Sequence, residues 1–135
     1  MKIFVLIGRI LFCLIFLTSS IGHFSTESIQ YSADKGVPIA SILVPLSGVI
    51  AAIGALSIIL GYKARLGAFL IIIFLLPVTF IMHPFWVEAD PVVQQMQLTM
   101  FMKNISMLGA AVLIGYFGSG PMSLDEKYVE DSPLV

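Results

Sequence analysis

Phe80-Ile81-Met82-His83-Pro84-Phe85-Trp86 is the stretch whose reading decides the fold. Residues 66–82 contain no charged side chain and can run as one apolar helix. Pro84 stops that helix, because it lacks an N–H and pushes the residue before it out of helical geometry. The one tryptophan of the chain follows at once, and tryptophan collects where a bilayer meets water. An apolar helix that ends on a histidine, a proline and two aromatic rings reads as a span reaching a membrane surface.

Working outward, further apolar runs cover about residues 3–22, 38–61 and 97–117. A helix needs ~20 residues to cross ~30 Å of hydrocarbon. Together with 66–82 these runs predict an all-α integral membrane protein, an antiparallel four-helix bundle. Composition agrees. Of 135 residues, 59% are hydrophobic and 11% charged, with a mean hydropathy of +1.03; soluble domains are nearer half apolar and a quarter charged. The lipid bilayer is the expected solvent and first partner. Residues 1–121 form one four-span domain, and 122–135 a short acidic cytoplasmic tail in which Ser132-Pro133 promises no further fold. A net charge of −1, with no basic patch, argues against nucleic acid. A cleaved signal peptide is the rival reading of the first run, since Lys2 precedes it and Thr18-Ser19-Ser20 close it. Arg9 inside the run argues for a retained span.

Between the first two spans, Ser25 can cap a short surface helix, Glu27 suits its positive end and Gly36 its stop. Ile29 and Ala33 fall on one side of it. Pro38 suits the first turn of the second span, while Pro45 and Pro77 should bend the second and third. Gly48, Ala51, Ala52 and Ala55 form a small-residue seam of the kind that lets membrane helices approach closely. Lys2, Lys63, Arg65 and Lys127 fall on one side of four crossings and Lys35 alone on the other. Lysine and arginine favour the cytoplasm, so both termini are expected there. The loops at 23–37 and 85–93 then face the periplasm or exterior of a multi-pass cell-membrane protein, in the inner membrane if the cell is Gram-negative.

Several stretches taken together carry a family likeness: Gly8-Arg9-Ile10-Leu11, Lys35-Gly36-Val37-Pro38, Gly61-Tyr62-Lys63-Ala64-Arg65, His83-Pro84-Phe85-Trp86, Phe101-Met102-Lys103-Asn104, and Gly118-Ser119-Gly120-Pro121 with Ser123-Leu124-Asp125. In these the chain resembles the DoxX family of small membrane proteins over nearly its whole length. The resemblance implies four transmembrane helices. It also implies a link to redox complexes, because the family is named for a subunit of a thiosulfate:quinone oxidoreductase. Two positions depart. Family members often carry lysine where this chain has His23, and glutamate in the second span where it has Ala51. The second departure leaves no carboxylate in any span, which weakens a proton or cation path built on a buried acid.

Arg9 and Lys103 are the charged residues well inside spans. Each lies ~9 Å deep at ~1.5 Å per residue, but from opposite faces of a ~30 Å core, so they cannot meet. Arg9 is expected to snorkel to inner-leaflet phosphates as a lipid anchor. Lys103 can snorkel outward, or turn into the bundle towards His83. Asn104 cannot snorkel far, and Gln97 lies two turns before it on the same face. Hydrogen bonding between helices, on the order of 1 kcal/mol, is the plainer reading of that pair. The sharper reading gathers His83, Gln97, Lys103 and Asn104 around an outer pocket roofed by Phe85 and Trp86. Such a pocket offers donors to a quinone carbonyl and aromatic faces to its ring. His83 is the candidate catalytic residue, because it alone titrates near neutrality.

Other chemistries fare worse. His23 and His83 as axial haem ligands are thin support for haem, and two histidines without cysteine or acidic companions make a poor zinc site, so no metal is expected. Cys13, alone in an apolar run, reads as an inert packed thiol. No Gly-rich phosphate loop, serine nucleophile motif or Cys-x-x-Cys is present. Three functions follow in order: an accessory subunit of a membrane redox or respiratory complex, associated with other membrane subunits and without a complete active site of its own; a quinone-binding oxidoreductase subunit, for example in sulfur-compound:quinone oxidoreduction; and a small-molecule transporter.

Overall fold

Each apolar run becomes a helix in the computed structural model, which describes residues 1–130. The order is α1 (Lys2–Gly22), α2 (Thr26–Asp34), α3 (Ala40–Leu60), α4 (Ala64–Met82), a 3-10 turn (Phe85–Val87), α5 (Pro91–Phe117) and α6 (Leu124–Glu130), with no strand among the described residues. α1, α3, α5 and the α4 segment are long and apolar enough to cross a membrane. At ~1.5 Å per residue, α3 is ~31 Å long, the thickness of the hydrocarbon core.

Capping chemistry sets the ends. Ser25 Oγ accepts from Ser28 N at 3.1 Å and starts α2. Asp90 Oδ1 accepts from Val92 N at 2.8 Å and from Val93 N at 3.3 Å, with Pro91 at the first turn. α5 therefore begins at Pro91, not at 97. The apolar pattern starts later than the helix because its first turns, with Gln94 and Gln95, are polar. On α2, Ser32 is buried, Ile29 is half-buried and Ala33 is exposed.

The start of α1 and the last described helix, α6, lie at one end of the bundle, where the expected tail is a docked segment as far as it is described. Ser123 Oγ accepts from Glu126 N at 3.1 Å, and Glu126 Oε2 accepts from Met122 N at 2.6 Å. The Asp125 carboxylate accepts from Lys63 N at 2.9 Å and Ala64 N at 3.3 Å, so it caps α4 from across the chain. Lys2 Nζ lies 3.6 Å from Glu126 Oε1 and ties in the start of α1. Residues 131–135, including Ser132-Pro133, lie outside the described residues. We call this the terminal end, and the opposite one, bearing α2 and the 3-10 turn, the loop end.

Lipid tails are as apolar as leucine, so helices associate in a bilayer by close packing. α1 packs on α3, α3 on α4 and α4 on α5. Gly54 and Gly67 bring α3 and α4 nearly backbone to backbone: a Cβ on Gly67 would lie 2.8 Å from Gly54 O. That crossing sits in the terminal-end half. Pro45 and Pro77 lie in the loop-end halves of the same two helices, where a missing N–H and ring sterics bend a helix. Cys13, Ala51, Ala55, Ile58 and Ile71 are fully buried between the helices, and Phe16 meets Phe74 edge-on at 6.2 Å.

Candidate functional site

The loop-end halves of α1, α3 and α4, with α2 laid across them, enclose a cavity of about 570 Å³. Ser19, His23, Ser32, Ser47, Phe74 and His83 contribute to its wall. Leu43 and Leu46 of α3 and Ile73 of α4 also line it, and all three are exposed. Their position on spanning helices makes this rim a side opening towards lipid. The volume is typical of a small-molecule site, and the mixture of apolar wall and few polar groups is too.

Three polar side chains in the wall have spare hydrogen-bonding capacity. Ser32 is 6% exposed, and its hydroxyl makes no hydrogen bond to any described residue. His23 Nδ1 lies 2.9 Å from Ser19 O, and its ring meets Phe74 edge-on at 5.6 Å. A carbonyl only accepts, so Nδ1 carries a proton and Nε2 is the acceptor of the neutral ring. His83 Nδ1 lies 2.8 Å from Gln97 Oε1, which fixes the same tautomer. Gly48 makes room for His23, since a Cβ there would lie 2.7 Å from His23 Cβ.

A second, smaller cavity of about 140 Å³ adjoins the first. His23, His83, Ser19 and Phe74 line both, and Lys103, Asn104 and Met107 of α5 complete the smaller one. Of the residues singled out in the sequence, His83, Lys103 and Asn104 thus line one small cavity, and Gln97, 8% exposed, holds His83 from behind. Lys103 itself is exposed, with Nζ 3.5 Å from Met100 Sδ on its own helix.

Phe85 and Trp86 line neither cavity. The 3-10 turn after Pro84 folds them onto Phe101, with ring centroids 5.3 and 6.0 Å away, and Phe80 joins from the other side at 5.4 Å. The expected aromatic roof is therefore a packed aromatic cluster between α4, the turn and α5.

Arg9 is also placed differently from a lipid anchor. It is 4% exposed, and its Nη2 donates to Met122 O at 2.6 Å. Its Nε and Nη1 are buried without a hydrogen-bond partner, while Asp125 and Glu126 stand close enough to act on its charge. The docked terminal segment supplies it with a carbonyl and two nearby carboxylates. The wall residue that sequence reasoning missed is Ser32. Its signal was available: Ser28 and Ser32 lie one turn apart on α2, and both line the large cavity. Among the described residues, no three His, Cys, Asp or Glu side chains gather as metal ligands.

Comparison with known proteins places these features in context. The DoxX family model matches residues 4–84. Inner membrane protein YphA of Escherichia coli (strain K12) is 31% identical, over 93% of this chain and 90% of its own length. Inner membrane protein YqjF of the same organism is 30% identical, over 90% of this chain and 88% of its own length. No solved structure matches the chain.

Proposed function

The chain belongs to the DoxX family of membrane proteins, and we propose that it serves a membrane redox assembly as the subunit that holds a quinone-type molecule. The observation that carries this reading is the cavity of about 570 Å³, open to lipid at Leu43, Leu46 and Ile73, with Ser32, His23 and His83 in its wall. A quinone is an apolar ring with a carbonyl at each end, and it travels in the hydrocarbon. A side opening suits its entry. The Ser32 hydroxyl can donate to one carbonyl. In the reduced ligand, a hydroxyl can donate to Nε2 of His23 or His83, and the imidazole is placed to accept that proton.

Electrons would pass to and from partner subunits, which makes the chain an accessory component whose own residues bind and exchange protons. The proposed orientation puts the terminal end, with Lys2, Lys63 and Arg65, in the cytoplasm, and the cavity towards the outer leaflet. Purification in a mild detergent, followed by lipid extraction and mass spectrometry, tests the reading. A near-stoichiometric quinone that is lost in Val44→Phe, where the added ring fills the wall, supports it. A preparation carrying only phospholipid, from cells rich in quinone, refutes it.

A further inference from the structure

We propose that the smaller cavity is a water-filled subsite that exchanges protons with the histidine pair, and that Asn104 is the residue that positions its water. Asn104 is 4% exposed, lines this cavity and makes no hydrogen bond to any described residue. A buried amide carries two donors and an acceptor, and leaving all of them unmade in a protein interior is costly. The neighbouring α5 side chains that line the cavity are Met107 and Lys103, and the Lys103 ammonium is directed to Met100 Sδ. The partner of the amide must therefore come from within the cavity. A volume of about 140 Å³ holds several waters at ~30 Å³ each, and water orders where two to four polar groups surround it. Asn104, His23, His83 and the Ser19 hydroxyl provide such groups. A lipid tail would leave them unsatisfied.

The position of the two histidines gives this water a use. Both histidines line both cavities. Nδ1 of each is engaged, by Ser19 O and Gln97 Oε1, so Nε2 is the nitrogen left to exchange a proton. A proton from hydronium in the small cavity binds Nε2 and forms the imidazolium, with Nδ1–H retained. Nε2–H then gives that proton to a ligand oxygen in the large cavity, and the ring returns to neutral. The reverse order carries a proton from a ligand hydroxyl to water. The groups that can titrate around the pair are His23 on α1, Tyr31 on α2, His83 on α4 and Lys103 on α5. The spans bring no carboxylate. The delivery to a ligand rests on the quinone reading above, whereas the hydration of the cavity does not.

The test uses the full chain in lipid bilayers, labelled with ¹⁵N at histidine and asparagine, and water itself as the probe. Magnetisation transfer from water in solid-state NMR should reach the Asn104 side-chain amide and both imidazoles. Asn104→Leu should cut transfer to His83 several-fold while the backbone spectrum stays that of the folded protein. Asn104→Ser, which replaces the amide with a smaller hydroxyl that still bonds water, should restore it and serves as the reporter if the leucine variant does not fold. Transfer from lipid acyl chains to Asn104 in place of water, or a His83 signal that ignores both substitutions, overturns the proposal. Failure of quinone binding with an intact water signal would refute the ligand reading alone.

Discussion

Gly61→Ala should loosen the terminal end far more than its one added methyl suggests. Gly61 sits at φ +63°, a conformation that costs a residue with a Cβ ~1–2 kcal/mol. The new Cβ would also collide with Arg9 Nη1 and with Ser123 Cβ. The guanidinium cannot withdraw without losing its hydrogen bond to Met122 O at 2.6 Å, and a hydrogen bond to a charged group is worth ~1.5–3 kcal/mol. Partial relief leaves a cost of roughly 2–4 kcal/mol. At ~1.4 kcal/mol per decade, that lowers the folded-to-unfolded ratio by roughly thirty- to seven-hundred-fold. Equilibrium unfolding in mixed micelles measures it directly. Gly109→Ala is the matched control, because nothing lies within 4 Å of a Cβ there, and it should not destabilise. If Gly61→Ala is as stable as Gly109→Ala, the docked segment does not pack on Arg9 as described.

Further outcomes follow from the same geometry. Arg9→Lys should cost roughly 1.5–3 kcal/mol in the same unfolding assay, because one ammonium cannot replace a planar guanidinium wedged between Gly61 and Met122; full tolerance would return Arg9 to the lipid surface. Asp125→Ala should lower stability by ~1 kcal/mol, the usual worth of a helix cap, and an unchanged melting temperature would show that the bonds to Lys63 N and Ala64 N contribute nothing. A single cysteine placed at Glu88 should react with an impermeant thiol reagent added outside intact cells, with Cys13 silent because it is buried; labelling only from the cytoplasmic side would invert the orientation.

The spans were legible because hydrophobic length is a one-dimensional property. Their caps were partly legible: Ser25 was identified, while Asp90 was hidden by polar first turns that look like loop. The core seam was half visible. Ala51 and Ala55 were marked as small residues, but the near backbone-to-backbone contact pairs Gly54 with Gly67, and only folding reveals which glycines of two helices meet. His83, Gln97 and Asn104 could be brought near one another by counting residues along α4 and α5. Phe85 and Trp86 could not be placed, since their direction depends on the 3-10 turn after Pro84. Arg9 was misplaced for a related reason. Snorkelling is the default for a lone span arginine, and no local pattern announces that residues 122–126, more than a hundred positions away, fold back to meet it.

The proposed function is most directly tested by where a quinone sits. A photoreactive benzoquinone equilibrated with the protein in bilayers, then illuminated and mapped by mass spectrometry, reports that position residue by residue. The account predicts adducts concentrated on the wall of the large cavity, at residues such as Ser47, Phe74 and Met82, and their loss in Val44→Phe. Adducts spread over lipid-facing side chains such as Phe4, Leu113 and Tyr116, unchanged by that substitution, would contradict it.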